Sequence, residues 1–117
     1  MSESSGIFTF PSTGWWSVVF HLGGYSDGST QNLIAQIMVT TDNSSYQHTC
    51  LAQQGIYDFS NSYPSHASMT AQALVDVTST TNVKVRFDYG AGQGGEYAKG
   101  SSTYTYTNAI FTRLGDT

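Results

Sequence analysis

The sequence predicts an all-β, antiparallel domain, and three observations carry that expectation. Apolar residues recur at every second position along several segments, and clusters of turn-forming residues separate those segments about every 8 to 12 residues. No segment combines a helical period with caps at both ends. The 117 residues are expected to form one domain, 1–117, of a size that buries roughly two-thirds of its unfolded surface.

Taken in order, Gly6 to Leu22 (GIFTFPSTGWWSVVFHL) reads as a short strand, a Pro-Ser-Thr-Gly turn and a strictly alternating strand. Trp16, Val18, Phe20 and Leu22 share one face of that strand, with Ser17 and His21 on the other. Gly23 to Thr30 reads as a loop. Asn32 to Thr41 is the next strand, with Leu33, Ala35, Ile37 and Val39 on one side and Ile34 and Met38 on the other. Asp42 to Ser45 is a turn. The Asn43-Ser44-Ser45 triplet within it matches a glycosylation acceptor and equally a tight turn. Tyr46 to Gln54 is a strand and Ile56 to Ser65 a loop. Met69, Ala71, Ala73, Val75 and Val77 alternate with Thr70, Gln72 and Asp76. After a turn at Ser79 to Asn82, Val83, Val85, Phe87 and Tyr89 alternate with Lys84, Arg86 and Asp88, the pattern of a half-buried strand. Gly90 to Ser102 reads as a long hairpin tip, and Thr103 to Leu114 as the last strand. Pro11 and Pro64 fall in or beside turns, where a missing N–H does no harm. Seven or eight such strands leave a sandwich, a jelly roll or a small barrel, and periodicity does not choose among them.

The opening segment adds a more specific signal. Phe8, Gly14, Trp16, Val18 and Phe20 follow the spacing of a Phe, five residues, a Gly, then large apolar residues at every second position. This resembles the core signature of the C1q/TNF-like jelly-roll family, with Trp16 where the family usually has Tyr and Val18 where it usually has Phe. The segment TYTYTNAIFTRL sits where that family's last strand enters the core, and the closing Arg-Leu-Gly-Asp is similar to C1q-like domains of bacteriophage structural proteins. The resemblance implies an antiparallel jelly-roll sandwich that assembles as a homotrimer. Its usual first strand would be missing or very short here, since only Met1 to Ser5 precede the signature. The sequence is then either a minimal version or a piece of a longer polypeptide.

Composition narrows the partners. Only 10% of residues are charged and the net charge is −4, with Lys84, Arg86, Lys99 and Arg113 spread along the chain. No basic patch exists to neutralise phosphates, so nucleic acid is not an expected partner. No apolar run approaches the roughly 20 residues of a membrane-spanning helix, and no membrane insertion is expected. The stretch Met1 to Gly6 lacks the pattern of a secretory signal, which a virion protein released by lysis would not need. Cys50 stands alone, so no disulfide closes within the chain.

Signals of catalysis or metal binding are sparse. His21, His48 and His66 lie on different expected elements without ligand spacing, and read as polar-face or loop histidines. Cys50 alternates with His48 and Ala52 and reads as a small buried or interface residue rather than a nucleophile. No calcium-loop pattern occurs; Asp27 is the one loop carboxylate that enters consideration, and reads first as a turn residue. The glycines at 90, 92, 94 and 95 do not lead from a strand into a helix, which argues against a phosphate loop. No enzyme activity, cofactor or metal is expected.

The expected function is therefore a non-enzymatic, trimeric structural protein at the virion surface of a bacteriophage. It would be a capsid decoration (cement) protein or a fibre-tip head, with itself and capsid or fibre proteins as partners. The initial Met inclines the expectation towards decoration. Independent of the family, Trp15, Val19, Ile34, Met38 and Leu74 lie opposite the best core sets, and Tyr and Trp are abundant as in interface cores. Trp15, Trp16, Phe20, Tyr104, Tyr106 and Phe111 are the residues expected in the trimer interface or the core, with Tyr104 and Tyr106 at the axis. The alternative is a receptor- or glycan-binding adhesive module of a tail fibre or bacterial surface protein. It would contact host glycan or protein through Tyr25, Tyr57, Phe59, Tyr63 and Tyr97.

Overall fold

The computed structural model describes residues 1–26, 32–56, 64–91 and 95–117. In chain order the strands are β1 (Ser2–Ser4), β2 (Ile7–Thr9), β3 (Gly14–Ser26), β4 (Asn32–Thr40), β5 (Tyr46–Gly55), β6 (Ser65–Val77), β7 (Lys84–Ala91), β8 (Glu96–Ala98) and β9 (Asn108–Gly115). Among the described residues none is helical, so no helix is long and apolar enough to cross a membrane.

The strands form two antiparallel sheets. One has the order β1-β2-β7-β4-β5; in the other, β3 pairs with β6 along one edge and with β8 and β9 along its opposite edge. The chain passes from one sheet to the other between β2 and β3, β3 and β4, β5 and β6, β6 and β7, and β7 and β8.

The core lies between the inner faces of the sheets, and the alternation read from the sequence supplies it. Trp16, Val18, Phe20 and Leu22 of β3, together with Met69, Ala71, Ala73, Val75 and Val77 of β6, are all buried. They face Leu33, Ala35, Ile37 and Val39 of β4 and Val85 of β7, which are also buried. Removing such side chains from water is the main favourable term in folding. At one side an aromatic cluster joins both sheets: Phe20 stacks on Phe87 at 4.7 Å between centroids, and Phe8, Phe10, Trp16 and Phe111 extend it. Edge-to-face and offset contacts of this kind add to the area term.

Local chemistry explains the first two turns. Ser5 and Gly6 both have positive φ, 52° and 77°, and close a two-residue hairpin between β1 and β2. Such a turn matches the twist of the paired strands. Gly14 has φ 127°, and a Cβ there would stand 2.3 Å from the Gly115 carbonyl oxygen. The glycine of the opening signature is thus required by backbone conformation and by the close passage of the chain's end.

The largest boundary differences from the sequence reading lie at β3, β6, the 90–98 segment and the last strand. β3 runs through Gly23 and Gly24 to Ser26 because β6 and β8 pair with it there, although glycines and serines suggested a loop from Gly23. β6 begins at Ser65, four residues before its apolar alternation, as the partner of that extension. Within the expected long tip, Gly90 and Ala91 belong to β7 and Glu96–Ala98 forms β8. The last strand starts at Asn108, not Thr103. The Ser101 hydroxyl accepts hydrogen bonds from the Thr103 and Tyr104 N–H groups, and the Thr107 side chain binds backbone of Gly23 and Lys99. Residues 103–107 are thereby held outside the ladder.

Candidate functional site

Two surfaces stand out, the outer side of the sheet built on β3 and a cleft at one end of that sheet. Register assigns its outward residues: Trp15, Ser17, Val19 and His21 on β3, Thr70, Gln72, Leu74 and Asp76 on β6, and Ile110 and Thr112 on β9. Along the middle of this face Val19 lies between Gln72 and Ile110, and Ser17 between Leu74 and Thr112. Leu74 is 61% exposed, Ile110 56%, Leu114 57% and Trp15 42%. None of the face's outward residues named above is basic, and Asp76, across the ladder from Trp15, is the one acid. Asp76 Oδ1 is buried without a hydrogen-bond partner. Neutral polar links lie between the apolar residues: Gln72 Nε2 donates to Ser17 Oγ at 3.0 Å, and His21 Nδ1 lies 3.0 Å from Thr70 Oγ1.

The outer side of the other sheet is organised differently. Met38 points outward there, yet it is only 6% exposed. Arg86, its ladder neighbour on β7, lies over it with a guanidinium nitrogen 3.3 Å from the sulfur. The same guanidinium stands 4.8 Å from the centre of the Tyr46 ring and pairs with Asp88 at 3.3 Å. Ile34 is half-buried on that side.

The residues expected in an interface or core divide between these environments. Trp16 and Phe20 are in the core, each 7% exposed, and Phe111 packs against it half-buried. Trp15 is on the apolar outer face. Tyr104 and Tyr106 are off the last strand; their rings lie 6.0 Å apart, with Tyr104 66% exposed and Tyr106 half-buried. Ile110 and Leu114 were missed as surface residues, although their shared parity within NAIFTRL, opposite to Phe111, carries the signal. On β5, a register shift between Ile37 and Met38 leaves Thr49 as an extra residue. Cys50 and Ala52 therefore pack on the core half-buried while His48 is exposed, so the expected alternation is interrupted.

The second surface is a cleft at the far end of the same sheet, with a volume of about 510 Å³. It opens where β3 carries Gly23 and Gly24 and therefore no side chain. A Cβ at Gly23 would lie 2.6 Å from the Tyr106 carbonyl oxygen, so residues 105–107 pass directly over that glycine. Thr107 pins the crossing: its hydroxyl accepts from the Gly23 N–H at 3.3 Å and faces the Gly23 and Lys99 carbonyls at 3.2 and 2.9 Å. The Lys99 N–H donates to the Gly23 carbonyl at 2.8 Å. Lys99 Nζ stands 4.2 Å from the centre of the Tyr106 ring. His21, His66, Ser68 and Thr105, with Gln54 from β5 of the other sheet, complete the polar walls.

Of the expected loop contacts, Tyr25 and Tyr97 stack at 5.0 Å, with His66 5.9 Å from Tyr25. Tyr57, Phe59 and Tyr63 lie outside the described residues, as does Asp27. Among the described residues no three metal-binding side chains come together. The Asp42 turn is a local structural unit. Asp42 Oδ1 accepts from the N–H groups of Ser45 and Ser44 at 2.7 and 2.9 Å and from the Thr40 hydroxyl at 2.8 Å. These bonds, Ser45 first, hold its carboxyl well below the usual carboxylate range. Asn43 follows with φ 62°, a conformation Asn tolerates.

No protein-family model matches the chain, and no curated protein matches it either.

Proposed function

We propose that the chain is a non-enzymatic, trimeric structural protein at the virion surface of a bacteriophage, acting as a capsid decoration protein or as the head of a fibre tip. The observation that carries this reading is the uncovered apolar set Trp15, Leu74 and Ile110 on one sheet face, with Leu114 exposed at the end of β9 beside it. Contiguous apolar surface of this kind marks sites of association. A second copy is its natural occupant, because the face combines aromatic and aliphatic residues with neutral hydroxyls and amides and offers a charged partner little to pair with. Asp76, whose buried oxygen has no donor, would gain one from a neighbouring chain.

The strand order supports a jelly roll. Strands β2-β7-β4-β5 face β9-β3-β6, and the chain alternates between the sheets in the manner that fold requires. The C1q/TNF-like spacing of Phe8, Gly14, Trp16, Val18 and Phe20 agrees with it.

Native mass by light scattering, with and without a calcium chelator, is the test. A trimer indifferent to the chelator is expected, and a monomer overturns the reading. Given a trimer, saturable binding to empty capsids assigns decoration, whereas binding to host cells assigns the fibre tip.

A second reading, a receptor- or glycan-binding adhesive module, draws on the stacked Tyr25 and Tyr97 beside His66. Saturable cell binding lost in Tyr25→Ala would favour it.

A further inference from the structure

The cleft between β3, β6 and the 99–107 segment has the attributes of a small-ligand site, and the geometry points to a sugar bearing a carboxylate as its ligand. This rests on the adhesive reading and gives it a site, one whose His21 also belongs to the outer face proposed for assembly. A volume of about 510 Å³ falls within the range of small-molecule pockets and suits one or two sugar rings.

The charge class follows from the cations. The chain has four Lys and Arg against eight Asp and Glu, and both arginines are engaged by carboxylates, Arg86 by Asp88 and Arg113 by Asp116. Lys99 instead lines the cleft, and no acidic residue is among the described lining residues. Its backbone is tied on both sides, by its N–H to Gly23 and by its carbonyl to Thr107, and its ammonium rests on the Tyr106 ring. A cation held this way loses little freedom when an anion arrives, which raises affinity without new contacts.

The neutral groups narrow the class further. Besides one ammonium, the walls offer the imidazoles of His21 and His66, the amide of Gln54 and the hydroxyls of Ser68 and Thr105. These donate and accept in many directions and suit a polyhydroxylated ring. A phosphate monoester is best held by an arginine fork or converging backbone N–H groups, and the described lining residues include neither an arginine nor a helix terminus.

The test is a titration of the intact chain followed by the imidazole resonances of His21 and His66, using glucuronate and N-acetylneuraminate as probes. Glucose and inorganic phosphate are the controls. Saturable shifts with at least one acidic sugar are expected, with glucose weaker by about tenfold or more, the worth of one charge-assisted hydrogen bond. Lys99→Gln should remove that advantage over glucose while native mass and thermal midpoint stay unchanged, and Lys99→Arg should largely retain it. Equal binding of glucose and the acidic sugars, binding of phosphate alone, or no saturable shift with either probe would each overturn the proposal. Cell binding that needs Tyr25 but is indifferent to Lys99→Gln would also overturn it, while leaving the adhesive reading in place.

Discussion

The two outward faces of this molecule solve the same problem in opposite ways. On the β1-β2-β7-β4-β5 sheet, the outward Met38 is covered by Arg86, whose guanidinium also meets Tyr46 and Asp88. Arg86 thus closes over Met38 with a charged side chain, while Leu51, outward on β5 opposite Gln36, stays 50% exposed. On the β3 sheet the outward Leu74, Ile110 and Trp15 have Ser17, Gln72 and Thr112 beside them, short or neutral side chains that cannot cover them. Apolar content alone does not distinguish a closed surface from an adhesive one. What distinguishes them is whether a long amphipathic neighbour stands in register.

The comparison breaks most sharply at adjacent residues of β3. Val19→Asp, on the outer face, is expected to convert the proposed trimer into a folded monomer, read as a threefold fall in native mass with an unchanged circular dichroism spectrum. An undiminished mass would return that face to solvent. Phe20→Ala, one residue on but facing inward against Phe87, should instead lower unfolding free energy by about 3–5 kcal/mol, measured by urea denaturation. Gly14→Ala tests the end of the same strand. The strained φ and the Gly115 carbonyl should cost about 1–3 kcal/mol, and a cost near zero would mean that the carbonyl moves freely aside.

On the other face, Arg86→Gln uncovers Met38 and removes a pair whose partners are about two-fifths exposed, 41% and 42%. Solvent screening keeps the stability change within about 1 kcal/mol, and a slight rise in self-association at high concentration would sharpen the contrast. The smallest effect is that of Asp42. Its carboxyl is depressed below its ordinary 3.8, so its contribution is fully present above that value and fades as pH falls below it. Asp42→Asn should flatten the stability profile on the acid side of 3.8 and leave it parallel to the wild type at neutral pH, as followed by thermal melts.

Much of this architecture is legible along the chain because a strand with one buried face writes its own parity. Trp16-Val18-Phe20-Leu22, Leu33-Ala35-Ile37-Val39 and Met69 through Val77 each name their inward face, and all of these residues are buried. The Asp42-Asn43-Ser44-Ser45 turn is legible for the same local reason, since the bonds of the Asp42 side chain join residues at most three apart. The Ser5-Gly6 hairpin carried a readable signal as well, a two-residue pair suited to positive φ. The strand ends at Gly23 to Ser26 and Glu96 to Ala98 carried none, because their pairing is supplied by partners far away in sequence.

The sequence by itself therefore determined the all-β class, the core faces and the tight turns, since these depend on side-chain parity and on bonds between near neighbours. Only the tertiary structure decided which outward apolar residues stay uncovered and that Lys99, Thr107 and Gly23 meet around a cleft. Those outcomes depend on which strands lie side by side, and contacts between positions such as 23 and 107 leave no periodic trace in the chain that makes them.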